Sequence, residues 1–145
     1  MMTKVVADVP QLARGLESSV IPATPIPLVY IAGPFRGPTP YDVRRNVEAA
    51  RDAGLYVARL GAFPIIPHTM TADFDKQLTD EFWIRGHLQL LARCDAIYLI
   101  ADWRRSAGAK AERAEAIKLE IPCFALDEYA DTLLPRWIAG WLSAW

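Results

Sequence analysis

The chain has 145 residues, of which 52% are apolar and 23% charged, and its formal net charge is −1. This length fits one domain with enough apolar residues for a core. The balanced charge argues against a nucleic-acid polymer as partner, because such proteins hold phosphates with an excess of Lys and Arg. No stretch reaches the roughly 18 apolar residues of a membrane span, and no secretory signal precedes Leu28, so we expect a cytoplasmic protein without a membrane partner.

Two cysteines, Cys94 and Cys123, lie among apolar residues beside or inside probable strands. Cysteines in such surroundings are usually buried, reduced thiols. A metal site would need further ligands, and neither His68 nor His87 stands at ligand spacing from a cysteine. We therefore predict no metal site.

Residues 1–27 are predicted to form an extended lead-in. The stretch Ile21–Pro27 has three prolines, and proline fixes φ and removes a hydrogen-bond donor. A short helix over residues 10–17 is the one element expected there. The folded domain is predicted to span residues 28–145.

Strands and helices alternate along this domain. Short apolar runs predict buried strands at Leu28–Ala32, Phe63–Ile66, Asp95–Ile100 and Ile121–Ala125. Helices are predicted from Thr39–Pro40 to Gly61, over 79–93, over Ala109–Glu120, and over Asp127–Trp145 with a break or fresh start at Pro135, while residues 69–78 form a loop.

This alternation predicts an α/β fold: a mostly parallel sheet of about four to five strands between two layers of helices, an α/β/α sandwich. Ligands of such sheets bind beyond the carboxyl ends of the strands, near the point where the strand order reverses. Residues 33–38 and 101–112 follow strands at that edge, and both stretches carry polar and glycine residues.

The segment Ser106–Glu112 is a candidate for chemistry because it follows a strand and opens a helix. Gly108 would let the backbone turn tightly and approach a ligand. The helix start offers free N–H groups that favour anions. Glu112, about one turn later, could attack an anomeric carbon as a nucleophile. The spacing by itself favours a more ordinary role, in which a solvated Glu112 stabilises the helix dipole.

The loop Gly33–Gly37 (Gly-Pro-Phe-Arg-Gly) is a second candidate. Arg36 could bind phosphate through two parallel hydrogen bonds, and the Tyr30 phenol at the strand end could hydrogen-bond a carboxylate or a sugar hydroxyl. On the residues alone, a core position for Tyr30 and a surface position for Arg36 are the favoured alternative. The loop matches neither the Gly-Lys-Ser/Thr phosphate loop nor the Gly-x-Gly-x-x-Gly dinucleotide turn.

The histidines are ambiguous. His68 follows the second strand and could contact a substrate or make a structural hydrogen bond. His87 lies mid-helix among apolar residues, where a packed or surface histidine is more common than a catalytic one.

The tryptophans fall into two groups. Trp83 and Trp103 could frame a base by stacking. Trp137, Trp141 and Trp145 form one stripe on the last helix, which favours docking of that helix on the core, with a homo-oligomer interface as the alternative.

Together these residues resemble a known family. Tyr30–Gly37, Pro64–His68, Leu91–Ala96, Asp102–Trp103 and Ser106-x-Gly-x-x-x-Glu112 are similar, in order and spacing, to motifs of nucleoside 2-deoxyribosyltransferases and deoxynucleoside 5′-monophosphate N-glycosidases. The similarity covers roughly residues 28–125.

The resemblance implies a flavodoxin-like sheet, a homodimer or higher homo-oligomer, and no cofactor or metal. It makes Glu112 the nucleophile that forms a glycosyl-enzyme intermediate, and Tyr30 the residue that orients it. With the reasoning above, it gives ten predicted substrate-binding residues: Gly33, Pro34, Phe35, Arg36, Gly37, His68, Asp102, Trp103, Ser106 and Gly108.

The chain departs from the family pattern in two places. His87 stands eight residues before Asp95, where the family usually has an Asp facing the base; a histidine can also donate a proton, or the role is lost. Ser106 stands where nucleoside-acting relatives carry a carboxylate, which favours a phosphate on the substrate. Pro34 lacks an N–H that some relatives offer to that phosphate.

Three functions follow as hypotheses, all with a small nucleotide or nucleoside as partner. The first is hydrolysis of the N-glycosidic bond of a nucleoside 5′-monophosphate. The second is a 2-deoxyribosyltransferase that exchanges bases between nucleosides. The third is a catalytically impaired nucleotide-binding module, in which activity is lost because His87 stands at the position of the usual Asp.

Overall fold

The structure is a computed structural model that describes residues 25–74 and 76–145. Its strands are β1 (Leu28–Ala32), β2 (Phe63–Ile65), β3 (Ala96–Leu99) and β4 (Cys123–Ala125). Its helices are α1 (Pro40–Arg59), α2 (Pro67–Met70), α3 (Asp80–Leu91), α4 (Ala107–Lys118) and α5 (Ala130–Ser143), with short 3₁₀ turns at Ala72–Phe74, Trp103–Arg105 and Leu126–Glu128.

The four strands form one sheet in the order β2-β1-β3-β4, and every neighbouring pair is parallel. The chain leaves β1 toward β2 on one side and later places β3 on the other side. The strand order therefore reverses between β1 and β3, and the loops after these two strands flank that point.

Side chains of β1 alternate between two cores, as the period of a strand requires. Val29 and Ile31 face a first core, shared with α1 and α5, while Tyr30 and Ala32 face a second core, shared with α3 and α4. The sheet is thus covered on both sides, which confirms the predicted three-layer α/β/α sandwich.

Local signals in the sequence fix the helix ends. Thr39 caps α1 in a capping box with Asp42, followed by Pro40 at the first helical position. Thr79 caps α3 through the N–H of Phe82. Gly61 follows α1 at φ +103°, a left-handed conformation that glycine adopts without steric cost.

Most helices and strands begin and end within a few residues of the predicted positions. Three details differ. The predicted loop over residues 69–78 contains the end of α2 and a 3₁₀ turn. Pro135 does not break α5, because the fully buried Leu134 and Ile138 hold that helix on the sheet around it. The helix α4 begins at Ala107, before Gly108. The predicted helix over 10–17 lies outside the described residues.

Candidate active site

A cleft of about 440 Å³ lies at the carboxyl ends of β1 and β3, where the strand order reverses. Many of the predicted site residues line it: Gly33, Pro34, Phe35, Arg36, His68, His87, Ser106, Gly108 and Glu112. The structure therefore brings together residues from β1's loop, α2, α3 and α4 that are far apart in sequence.

Glu112 lies at the part of this cleft nearest the sheet. It stands between Ala109 and Ala116 on the face of α4 that packs on the second core, and both alanines are fully buried. Beneath it, the fully buried Tyr30 donates its phenolic hydrogen to the Glu112 carboxylate. Tyr30 is thus both a core residue and a partner of Glu112, so the two interpretations of Tyr30 hold together.

The surroundings of Glu112 change its acidity. Burial raises its pKa from the ordinary 4.5 to about 7, and the hydrogen bond from Tyr30 offsets part of that increase. Burial, followed by the charge of Glu112, raises the pKa of Tyr30 well above its usual range, so its hydroxyl keeps its proton. A carboxylate that titrates near neutral pH in a cleft is typical of catalytic sites.

The N-terminus of α4 forms another wall of the cleft. Ser106 caps this helix by accepting a hydrogen bond from the N–H of Ala109 at 3.0 Å, which leaves its hydroxyl hydrogen free for another acceptor. Gly108 lies in the first helical turn, and a Cβ there would meet only the Ser106 Oγ, at 3.8 Å. The prediction that Gly108 forms a tight turn is wrong, but its missing side chain leaves open space beside Ser106.

The loop after β1 is fixed by three anchors. His68, which is buried, donates from Nε2 to the carbonyl oxygens of Gly33 and Pro34 at 3.1 and 3.0 Å. Asn46 of α1 donates to the carbonyl oxygens of Phe35 and Arg36 at 3.0 and 3.2 Å. A Cβ on Gly33 would lie 2.4 Å from Cγ1 of Ile100, so only glycine lets this loop pack against the end of β3.

Two arginines stand beside the cleft in different electrostatic settings. Arg36 forms an exposed ion pair with Asp80, the first residue of α3, at 2.6 Å. Arg105 lines the cleft next to Ser106 and forms no ion pair with any described residue. Arg105 is not among the site residues predicted from the sequence, although its position directly before the Ser106 helix cap indicates a place beside the helix N-terminus.

Besides Tyr30, which lies beneath the cleft, three predicted site residues lie outside it. Trp103 is only 3% exposed and packs in the second core, where its indole N–H donates to Asp127 at 2.9 Å and Arg104 and Arg113 cover its ring. It cannot stack on a base in that position, so this prediction is wrong. Asp102 lines a separate groove with Trp103.

Gly37 also lies outside the cleft and packs against the Asp42 side chain instead, with room for no Cβ. Trp83 does line the cleft, stacked against Phe74 at a ring-centroid distance of 6.2 Å. The prediction that Trp83 frames a base is thus compatible with its position.

The remaining sequence predictions concern cysteines, metals and the C-terminal stripe. Both cysteines are free thiols; Cys94 is buried and Cys123 half-buried. Within residues 25–74 and 76–145, no three His, Cys, Asp or Glu side chains cluster as metal ligands would. Trp137 packs on the first core beside the buried Leu134 and Ile138, whereas Trp145 lies beyond the end of α5 and is 70% exposed, so the stripe as a whole does not dock this helix.

In the part of the chain that the structure describes, no helix combines the length and apolar character of a membrane span. The cytoplasmic location and the homo-oligomer stay predictions.

Residues 27–125 match the model of a family described as a domain of unknown function, DUF7768. This match covers about two thirds of the chain, and the chain belongs to that family. The description of the family names no activity or ligand. No curated protein matches the chain.

Replacing the desolvated, half-buried carboxylate of Glu112 should stabilise the protein. The folded-state pKa of Glu112, about 7, exceeds its ordinary value of 4.5, so the wild type loses stability as pH rises from about 4.5 to about 7. Glu112→Gln keeps an acceptor for Tyr30 without a charge. The free energy of unfolding of Glu112→Gln should exceed that of the wild type by an amount that grows across this pH range, to at most roughly 3 kcal/mol above pH 7.

Denaturant unfolding of both proteins between pH 4 and pH 8 measures this difference. Glu115→Gln, on the same helix but outside the cleft, is the matched control and should follow the wild type. An advantage of Glu112→Gln that is equal at pH 4 and pH 8 would contradict the buried-carboxylate account.

Proposed function

We propose that the protein hydrolyses the N-glycosidic bond of a nucleoside 5′-monophosphate with Glu112 as nucleophile. The observation that carries this proposal is the half-buried Glu112 carboxylate, bonded to the Tyr30 hydroxyl in a cleft with a helix N-terminus beside it. A carboxylate nucleophile and a nearby anion site are what two-step cleavage of a phosphorylated N-glycoside through a glycosyl-enzyme intermediate requires.

The reaction has two steps. A Glu112 carboxylate oxygen forms a bond to the anomeric carbon, while the bond to the base nitrogen breaks and its electron pair leaves with the base, which takes up a proton from the solvent. Water then attacks the same carbon, gives up a proton, and releases Glu112 as a carboxylate. The products are the free base and the sugar 5-phosphate, with the anomeric configuration retained.

Tyr30 supports the first step in two ways. Its hydrogen bond stabilises the ionised form of Glu112, which is the nucleophilic form. Because Tyr30 is fixed in the core, it also restricts the rotation of the carboxylate. The second carboxylate oxygen is left to face the cleft.

The phosphate is proposed to bind at the start of α4. The backbone N–H groups of the first turn, the Ser106 hydroxyl and the Arg105 guanidinium are all donors there, and Gly108 leaves space for close approach. Arg36 contributes less in this proposal, because it already pairs with Asp80.

The direct test is base release from a panel of ribo- and deoxyribonucleosides and their 5′-monophosphates, followed by chromatography. The wild type should release base from a monophosphate. Glu112→Gln should lower that rate by roughly 10³-fold or more, because the nucleophile is lost. Glu115→Gln should keep the wild-type rate, since Glu115 lies outside the cleft.

A second free base in the assay separates the alternatives. A new nucleoside that forms only with this added base would favour the transferase. Release from no panel member would contradict the hydrolase and favour the nucleotide-binding module.

The pH profile tests the role of Glu112. As a nucleophile it must be ionised, so kcat/KM should rise with pH through about 7, the pKa of Glu112. Tyr30→Phe should move this rise to higher pH by roughly 1 to 2 pH units, because a hydrogen bond to a charged group is worth about 1.5–3 kcal/mol. Steady-state rates between pH 5 and pH 9 measure both curves.

If Glu112 were instead a general acid, kcat/KM would fall through the same pH region. That result would contradict the nucleophile assignment while leaving base release intact.

Arg105 should govern the preference for a phosphate. Arg105→Gln should raise KM for the monophosphate about 10-fold or more, because a charge-assisted contact is lost, and leave KM for the nucleoside unchanged. Arg104→Gln is the matched control, since Arg104 pairs with Asp127 and Glu128 outside the cleft. Equal effects of Arg105→Gln on both substrates would contradict a phosphate contact.

A further inference from the structure

The two histidines of the chain both line the cleft, but their rings are held differently. His68 donates from Nε2 to two carbonyl oxygens of the loop after β1, and this ring is buried. Its task is therefore structural. His87 is half-buried on α3, and its Nε2 lies 3.3 Å from the Thr71 hydroxyl oxygen.

The hydrogen of the Thr71 hydroxyl determines the direction of this contact. The same oxygen lies 3.3 Å from the carbonyl oxygen of Pro67, which can only accept. A hydroxyl has one hydrogen to donate. Because Thr71 gives it to Pro67, the contact with His87 requires a hydrogen on Nε2 of the imidazole.

The position of Thr71 is itself fixed. It ends the short helix α2, and its backbone N–H also donates to the carbonyl oxygen of Pro67, at 3.3 Å. The hydroxyl is therefore presented to α3 by the backbone rather than by a freely moving loop.

From this geometry we propose that Thr71 is a positioning residue that holds neutral His87 in its Nε2–H tautomer and leaves Nδ1 for the bound base. Among the hydrogen bonds of the described residues, the one that His87 makes through its ring uses Nε2, and none uses Nδ1. This assignment of the base-facing group rests on the proposed function, whereas the tautomer itself is a property of the free protein.

The tautomer decides which group of a base His87 can recognise. Burial lowers the pKa of His87, and the neighbouring His68 lowers it further, so the ring is neutral at pH 7. Nδ1 of this neutral tautomer is an acceptor. It suits a base that presents an N–H group, either an amino group or a ring N–H, and it suits a water molecule once the base has left.

Other groups in the cleft can influence this ring. The titratable and charged side chains that line the cleft with His87 are His68, Glu112, Arg36, Asp80 and Arg105. The tautomer, unlike the charge state, depends on the local contact with Thr71, so it can be tested separately from them.

Nitrogen-15 NMR of the histidine rings tests the proposal on the full-length protein without substrate. With two histidines, the spectrum contains two ring systems, and His87→Gln assigns them. Above the pKa of both rings, the wild type and Thr71→Ser should show His87 with its hydrogen on Nε2. Thr71→Val has a similar shape without the hydroxyl, and should lose this single-tautomer pattern and show an Nδ1–H population.

His68 is the internal control, because its carbonyl partners are untouched by these substitutions. Unchanged His68 signals in Thr71→Val show that the cleft has kept its fold. A wild-type His87 with its hydrogen on Nδ1, or with mixed tautomers, would overturn the proposal. So would a Thr71→Val spectrum with intact His68 signals and an unchanged His87.

The outcome is independent of turnover. If no base is released, the proposed function is contradicted, but the tautomer of His87 is unaffected. If wild-type His87 carries its hydrogen on Nδ1, the role of Thr71 is contradicted even when the protein releases base.

Discussion

The hydrogen bond between Tyr30 and Glu112 connects the central strand of the sheet to the helix that borders the cleft. Burial of a carboxylate is costly unless hydrogen bonds replace its hydration. Among the described residues, the Tyr30 hydroxyl is the donor that Glu112 has. One donor only partly replaces water, which explains why the pKa of Glu112 stays near 7.

The strand order makes this pairing possible. β1 and β3 are neighbouring strands, but the segments that follow them leave in different directions. A gap therefore opens between these segments at the carboxyl ends of the two strands. Gly33 packs on Ile100 at the floor of that gap, and His68 and Asn46 hold the loop above it. The sheet, His68 and Asn46 together thus hold this loop in place.

The sequence predicts what depends on local signals and misses what depends on distant contacts. Hydrophobic periodicity and the residues that begin or end helices and turns are local features of the sequence, so the strands, the helix caps and the layer order could be predicted. The burial of Glu112 also has a local signal, since Ala109 and Ala116 stand on the same helical face. The Arg36–Asp80 ion pair joins positions 44 apart in sequence, and no local pattern indicates it.

Asp102 and Trp103 show why chain proximity is a weak guide to a site. Both follow β3 directly, but the backbone at Asp102 adopts a left-handed φ of +64° and directs the next turn into the second core. A left-handed aspartate is uncommon but tolerated, so the residue type alone did not signal it. The chain returns to the cleft only at Arg105.

The charges around the cleft set opposing requirements for the proposed reaction. A phosphate near α4 would favour a protonated Glu112, because like charges oppose ionisation, whereas the nucleophile must be ionised. Donors that carry positive charge resolve this conflict when they neutralise the phosphate. Arg105 and the helix start meet that condition, while Arg36 is already neutralised by Asp80. A glutamine at position 112 would remove both the conflict and the cost of burial. Folding alone does not account for a destabilising acid in such a cleft, whereas the proposed nucleophile does.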